Sequence, residues 1–309
     1  MIWVTGNIDG KKYKEPFSKG ILSRSLNIAD IGAERAYALA GDIESKLIED
    51  NVGEISSHDL ADVVLIYLKM VDPKIAEKYE NLRSLRKSEK PLIILIGGAS
   101  GVGTSSIAFE LANRLRLKNI ISTDMIREVM RKIVPKELSP VIHKSSFDAH
   151  ESIRTPSNGM DFVIEGFFDH VEVVNVGIEA IIERSVKEGI STIIEGVHVV
   201  PGFIRQDLID DNNIIIFTLT VDDEESHKQR FYSRCRPPWV KRSPERYMEK
   251  FEIIRKTQNF LVEQAKINNA CIINNVDINE TIDIMVCEIL EKFGGENNVK
   301  QKSQRDNDN

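Results

Sequence analysis

Near residue 92 the spacing of the hydrophobic positions changes, and the change divides the chain. Before it the pattern is mostly helical. A short apolar run, IWVTG, leads to an Asp9-Gly10 turn. Ile31, Ala38 and Ile43 then recur among charged residues. Leu60, Val63, Val64 and Tyr67 repeat at i, i+3, i+4, i+7, which is one face of a helix. Ser56 or Ser57 is placed to cap that helix, and Asp72-Pro73 is expected to end it. NLRSLRKSEKP at 81–91 is charged, closes on proline and reads as a linker.

After residue 92, apolar runs alternate with helix-spaced segments. The runs are LIILI at 92–96, NIIS at 119–122, STIIE at 191–195, NIIIFTLTV at 213–221 and ACIIN at 270–274. Short continuous apolar runs mark strands buried on both faces. The helical segments include 104–116, with Ile107, Leu111 and Leu115 on one stripe, and 171–188, stopped by Gly189. Ser243-Pro244 opens a third, and 279–293 is a fourth, stopped by Gly294-Gly295. The alternation predicts an α/β fold with a parallel sheet covered on both faces. The expected layout is a small helical domain over 1–80, a linker over 81–91, a larger domain over 92–293 and a polar, disordered tail over 294–309.

A length of 309 residues suits about two domains. The 48 acidic and 41 basic residues leave a net charge of −7, which argues against a protein that coats nucleic acid. No apolar run approaches the ~20 residues of a bilayer span, and the first residues lack a basic, then apolar, leader. Cys235, Cys271 and Cys287 form no C-x-x-C pair, so neither a disulfide framework nor a structural zinc site is expected. The chain is expected in the cytoplasm, with no membrane or nucleic-acid partner.

The sharpest chemical signal is GASGVGTS, Gly98-Ala99-Ser100-Gly101-Val102-Gly103-Thr104-Ser105, set between an apolar strand and an Ala/Leu-rich helix. Glycines let backbone N–H groups turn toward phosphate oxygens, and the helix N-terminus adds partial positive charge. Ser105 stands where a hydroxyl usually holds magnesium. Thr104 stands where the phosphate-loop pattern carries lysine, so the missing cation must come from elsewhere.

A source of charge lies at 228–256, where ten basic residues face three acidic ones. Arg230 and Arg234 share a helix face, and Arg236 precedes Pro237-Pro238. Such a segment reads as a lid whose arginines clamp a transferring phosphoryl group, or else as a solvated charged face. Asp124 follows the second strand. It is a candidate to orient an acceptor hydroxyl or, equally, to cap the helix after it. Arg127, three residues on, can reach an acceptor's anionic group. Glu195 ends the third strand and suits magnesium or a proton-accepting role. His198 reads either as a substrate contact or as a hydrogen-bonded loop residue. Lys144 and Arg154, with His143 and His150, lie in the insertion between strands two and three, where an acceptor pocket would be built.

LIILIGGASGVGTSSIAFELA, STDMIREVMR, TIIEGVHVVPGFI and RFYSRCR together resemble the archaeal 2-phosphoglycerate kinases over residues 92–293. Thr104 in the lysine position is similar to that family's own variant. DGKKYKEPFSKGILSRSL, with the helices after it, is similar to an ATP-cone, a small nucleotide-sensing module. The resemblance implies a P-loop NTPase fold of nucleoside-monophosphate-kinase-like type with a five-stranded parallel sheet, behind an ATP-cone-like domain. It implies transfer of the γ-phosphoryl of ATP to 2-phosphoglycerate, with magnesium, on the way to cyclic 2,3-bisphosphoglycerate. In that reading the 98–105 loop cradles ATP, while Ser105 and Glu195 hold magnesium. Arg230, Arg234 and Arg236 replace the lysine charge. Arg127, with Lys144 or Arg154 and with His198, binds the acceptor, and Asp124 or Glu195 aligns its hydroxyl. Two other readings stay open: the same fold acting on another small acceptor, and a sensor that binds nucleotide without turning it over.

Overall fold

The computed structural model describes the chain except residues 9–10, 28–30, 87–89, 154–160, 212, 235–243 and 308–309, and the side chains of residues 8, 27, 86, 211, 234 and 294–307. The chain divides into two compact units, Met1–Ser88 with Cys287–Asn309, and Glu89–Val286.

The first unit opens with strands β1 (Trp3–Ile8) and β2 (Lys11–Pro16), paired antiparallel with Trp3 opposite Pro16. The expected Asp9-Gly10 turn lies outside the described residues. Helices α1 (Lys19–Asn27) and α2 (Ala33–Glu49) follow, then β3 (Glu54–Ser56), parallel to β1. Helix α3 (Ser57–Val71) is capped as the sequence implies: Ser56 Oγ accepts the Asp59 N–H over 3.0 Å. Leu26, Ala36, Ile43, Val64 and Leu68 are wholly buried and form the core of this unit.

Pro73 ends α3 but also begins α4 (Pro73–Arg86), a helix the sequence reading missed. Asp72 Oδ1 accepts the Lys74 N–H over 3.0 Å, and proline at the first helical position gives up an N–H that has no helical partner anyway. Residues 81–86, expected as linker, are helical.

In the second unit, β4 (Leu92–Gly98), α5 (Thr104–Leu115), β5 (Asn119–Ser122) and α6 (Thr123–Ile133) come first. Two short 3₁₀ turns at Val141–His143 and Ala149–Ser152 lead to α7 (Phe162–Glu188), β6 (Thr192–Gly196) and α8 (Gln206–Asp211). Next come β7 (Asn213–Thr220), α9 (Glu224–Arg234), α10 (Pro244–Glu249), α11 (Phe251–Ile267), β8 (Cys271–Asn274) and the start of α12 (Ile278–Asn307), whose residues from Cys287 on belong to the first unit. Helix α12 runs on through Gly294-Gly295, where a stop and a disordered tail were expected. Each glycine costs about 1 kcal/mol relative to alanine, and the Glu, Lys, Gln and Arg around them favour helix.

All five expected strands form one parallel sheet in the order β5-β6-β4-β7-β8. Ile93, Leu95, Ile194 and Ile214 are fully buried against Val174, Ile178 and Ile182 of α7. From β4 the chain winds out to β5 and back to β6, then crosses to β7 and β8. The winding reverses at β4, and its carboxyl end opens the crevice where α/β folds bind ligands. Register places Glu195 beside both Ile96 and Ser122 at that end.

Candidate active site

The loop after β4 turns through two glycines in the left-handed region, Gly101 at φ +94° and Gly103 at φ +101°. A Cβ at Gly101 would lie 2.5 Å from the Phe231 ring. Helix α9 braces the loop from behind. His227 Nε2 donates to the Ser100 carbonyl over 2.8 Å, and Arg230 Nη1 donates to the Val102 carbonyl over 2.9 Å. Arg230 Nη2 also donates to the Asn275 carbonyl, and Asn275 Nδ2 donates to Val102 over 2.7 Å. The loop's outward carbonyls are thus taken up, a condition for presenting its N–H groups to an anion.

Helix α5 begins at Thr104, so Thr104 and Ser105 stand at its N-terminus. Thr104 Oγ1 donates to Glu195 Oε2 over 2.7 Å, and Ser105 Oγ donates to Glu195 Oε1 over 3.0 Å. Glu195 is 4% exposed, so both carboxylate oxygens are satisfied by the two hydroxyls of the phosphate-loop helix. A serine hydroxyl beside a carboxylate is the hard-oxygen pair that magnesium takes alongside substrate phosphates.

Beyond the loop, a cleft of about 750 Å³ is walled by Asp124, Arg127, Ser145, Phe147, Arg246 and Tyr247. Asp124 does not cap α6; Ser122 occupies that position, and Asp124 faces the cleft from the first turn. Arg127 Nε lies 3.6 Å from Asp124, while its Nη1 donates to the carbonyls of Ile142 and Lys144 over 3.2 and 2.9 Å. Those bonds tie the acceptor-side insertion to α6.

Three expected site residues point elsewhere. Lys144 pairs with Glu151 over 2.8 Å and does not wall the cleft. Arg230 acts on the loop's carbonyls, as described above, and does not wall the cleft either. His198 is fully buried: its Nδ1 meets Thr123 Oγ1 at 2.8 Å and its Nε2 meets His170 Nδ1 at 3.3 Å. Burial, with the Arg127 charge, pushes His198 down to about 3; burial, with His198 and Arg127, pushes His170 down to about 2. Both rings are neutral, and they pack behind Thr123, the residue before Asp124. Arg154, Arg236 and the side chain of Arg234 lie outside the described residues.

Sequence reasoning missed Arg246 and Tyr247 of α10 as cleft residues. Arg246 Nη2 donates to Asp148 Oδ2 over 2.7 Å and to Ser145 Oγ over 3.1 Å. Tyr247 stacks on Phe231 at 4.7 Å and meets the edge of Phe147 at 5.7 Å. The only advance signal was the charge density of 228–256, which does not say which arginine faces inward.

Among the described residues no helix is long and apolar enough to cross a membrane. Residues 8–88 match the ATP cone domain. The chain is 51% identical over 304 residues to the 2-phosphoglycerate kinase of Methanothermobacter thermautotrophicus, covering 97% of this chain and 99% of that protein. It is 45% identical over 287 residues to the 2-phosphoglycerate kinase of Methanopyrus kandleri, covering 93% and 87%. Among solved structures, shikimate kinase from Acinetobacter baumannii is similar over 67% of this chain and 98% of that one, at 14% identity and a TM-score of 0.41. Identity of 51% and 45% over nearly the whole chain makes this protein a member of the 2-phosphoglycerate kinase family.

Proposed function

We propose that this chain transfers the γ-phosphoryl group of ATP to the free hydroxyl of 2-phosphoglycerate, giving ADP and 2,3-bisphosphoglycerate. The observation that carries the reading is one cleft with two unlike walls. On one wall a braced phosphate loop sits beside the Thr104–Glu195–Ser105 group; on the other stand Asp124 and two arginines. Two anionic reactants have to be brought into line, and phosphoryl transfer depends on positioning and charge neutralisation more than on a covalent intermediate.

The loop N–H groups of residues 98–105 and the α5 N-terminus hold the ATP phosphates. Ser105 and Glu195 would hold magnesium, which when bound neutralises phosphate charge. With Glu195 given to magnesium and the loop hydroxyls, Asp124, which faces the cleft, aligns the acceptor. The acceptor oxygen attacks the γ-phosphorus in line, the bond to the bridging oxygen of ADP breaks, and the hydroxyl proton passes to the Asp124 carboxylate. Arg127 holds an anionic group of the acceptor.

The test is incubation with ATP, magnesium and 2-phosphoglycerate, followed by phosphorus NMR. Growth of 2,3-bisphosphoglycerate matched by ADP is expected. ATP binding without acceptor-dependent ADP would overturn the reading.

A further inference from the structure

A chain of ion pairs runs along the acceptor side of the cleft. Lys144 pairs with Glu151 over 2.8 Å, and Lys250 pairs with Glu151 over 3.1 Å and with Asp148 over 3.0 Å. Arg246 closes the chain on Asp148 over 2.7 Å. Hydrogen bonds from Lys144 and Lys250 hold Glu151 down at about 2, so it is ionised near neutrality. Three cations therefore face two carboxylates. Of the three cations only Arg246 walls the cleft.

Arg246 is also held in a way that leaves it able to bind. Its guanidinium lies 5.4 Å from the centre of the Phe147 ring. Both of its hydrogen bonds use Nη2, and Nη1 and Nε have no partner among the described residues. Its side chain is 58% exposed, whereas that of Asp148 is 9% exposed. A buried, doubly paired carboxylate thus fixes the base of a guanidinium whose remaining edge suits a carboxylate or phosphate oxygen pair. Arg127 supplies a second cation at 15% exposure, with Nη1 already spent on backbone carbonyls.

We infer that Arg246 is a specificity-determining residue for the acceptor, binding one of two anionic groups that flank the reacting hydroxyl, with Arg127 taking the other and Asp148 positioning Arg246. The inference rests on the kinase reading above. It selects small acids with two anionic groups over acceptors that carry one.

The experiment compares the full-length chain with Arg246→Gln, using 2-phosphoglycerate and two truncated acceptors: glycerate, which lacks the phosphate, and glycerol 2-phosphate, which lacks the carboxylate. For Arg246→Gln the KM for 2-phosphoglycerate is expected to rise about tenfold to a hundredfold, with the KM for ATP within about twofold. One of the two truncations, costly in the unaltered chain, should then cost almost nothing, which a merely structural role for Arg246 would not produce. Asp148→Asn should raise the same KM by a smaller factor. If both truncations cost as much in Arg246→Gln as before, or if the KM for ATP rises instead, the inference fails while the kinase reading stands. If the unaltered chain forms no acceptor-dependent ADP, both fail together.

Discussion

Thr104 donates its hydroxyl to Glu195 over 2.7 Å, from the position where a phosphate loop ordinarily carries lysine. The side chain is turned to a buried carboxylate, so lysine cannot simply be restored. In Thr104→Lys the hydroxyl at 104 is lost, and the ammonium would pair with Glu195 and compete there with the Ser105 hydroxyl. Turnover is expected to fall at least about tenfold, with a raised magnesium requirement. Thr104→Ser, which keeps the donor, should stay within about threefold. Thr104→Val leaves Glu195 one donor short and should lose about 1.5–3 kcal/mol of stability. Steady-state kinetics across a magnesium series, with denaturant midpoints, checks all three. A gain in turnover on Thr104→Lys would mean that position 104 faces the phosphates.

Arg230 separates brace from clamp. Its guanidinium bonds the Val102 and Asn275 carbonyls, so it ties the phosphate loop to the segment after β8. Arg230→Ala is expected to raise the KM for ATP about tenfold while leaving the KM for the acceptor nearly unchanged. Arg230→Lys, able to reach one carbonyl but not to fork across two, should recover part of the loss. A fall in kcat with both KM values unchanged would return Arg230 to the transferring phosphoryl group.

Gly101 carries two constraints at once. Its φ of +94° disfavours any side chain, and an added Cβ would sit 2.5 Å from the Phe231 ring and 2.8 Å from His227 Nε2. Gly101→Ala should therefore cost at least about 1–2 kcal/mol and weaken ATP binding more than acceptor binding. Adding Phe231→Leu removes the ring contact but not the backbone strain, so it should restore only part of the thermal midpoint. Full recovery would mean that the clash alone sets the need for glycine.

The five strands and the phosphate loop were legible because their signals are local. Strands buried on both faces are continuous apolar runs, and the loop needs glycines at fixed offsets. What stayed hidden depends on partners far along the chain. Arg246 is one of ten basic residues in its segment until Asp148, 98 residues upstream, is seen to hold it. Lys144 has the right charge in the right insertion, yet Glu151 claims it. His198 follows Glu195 closely, but His170 and Thr123 enclose it. Pro73 misled for a different reason: it stops one helix and starts the next, and only the side chain of Asp72 tells which.

The buried pair His170 and His198 predicts how stability depends on pH. In the unfolded chain each titrates near its ordinary 6.5; in the fold they are pushed down to about 2 and about 3. A lowered histidine pKa means that the unfolded chain binds more protons below 6.5. The stabilising contribution is therefore complete above about pH 7 and is lost as pH falls from 6.5 toward 3. Each histidine contributes a slope of at most about 1.36 kcal/mol per pH unit, or about 2.7 for the pair. Against a typical stability of about 5–15 kcal/mol, that exhausts the fold within a few units. Most carboxylates titrate below the upper part of this window, so unfolding free energies measured by denaturant between pH 7.5 and 5 isolate the histidines. His170→Phe keeps an aromatic ring at that position but removes its titration, and should lower the slope by up to about 1.36 kcal/mol per pH unit. An unchanged slope would mean that His170 takes up its proton in the folded chain at ordinary pH.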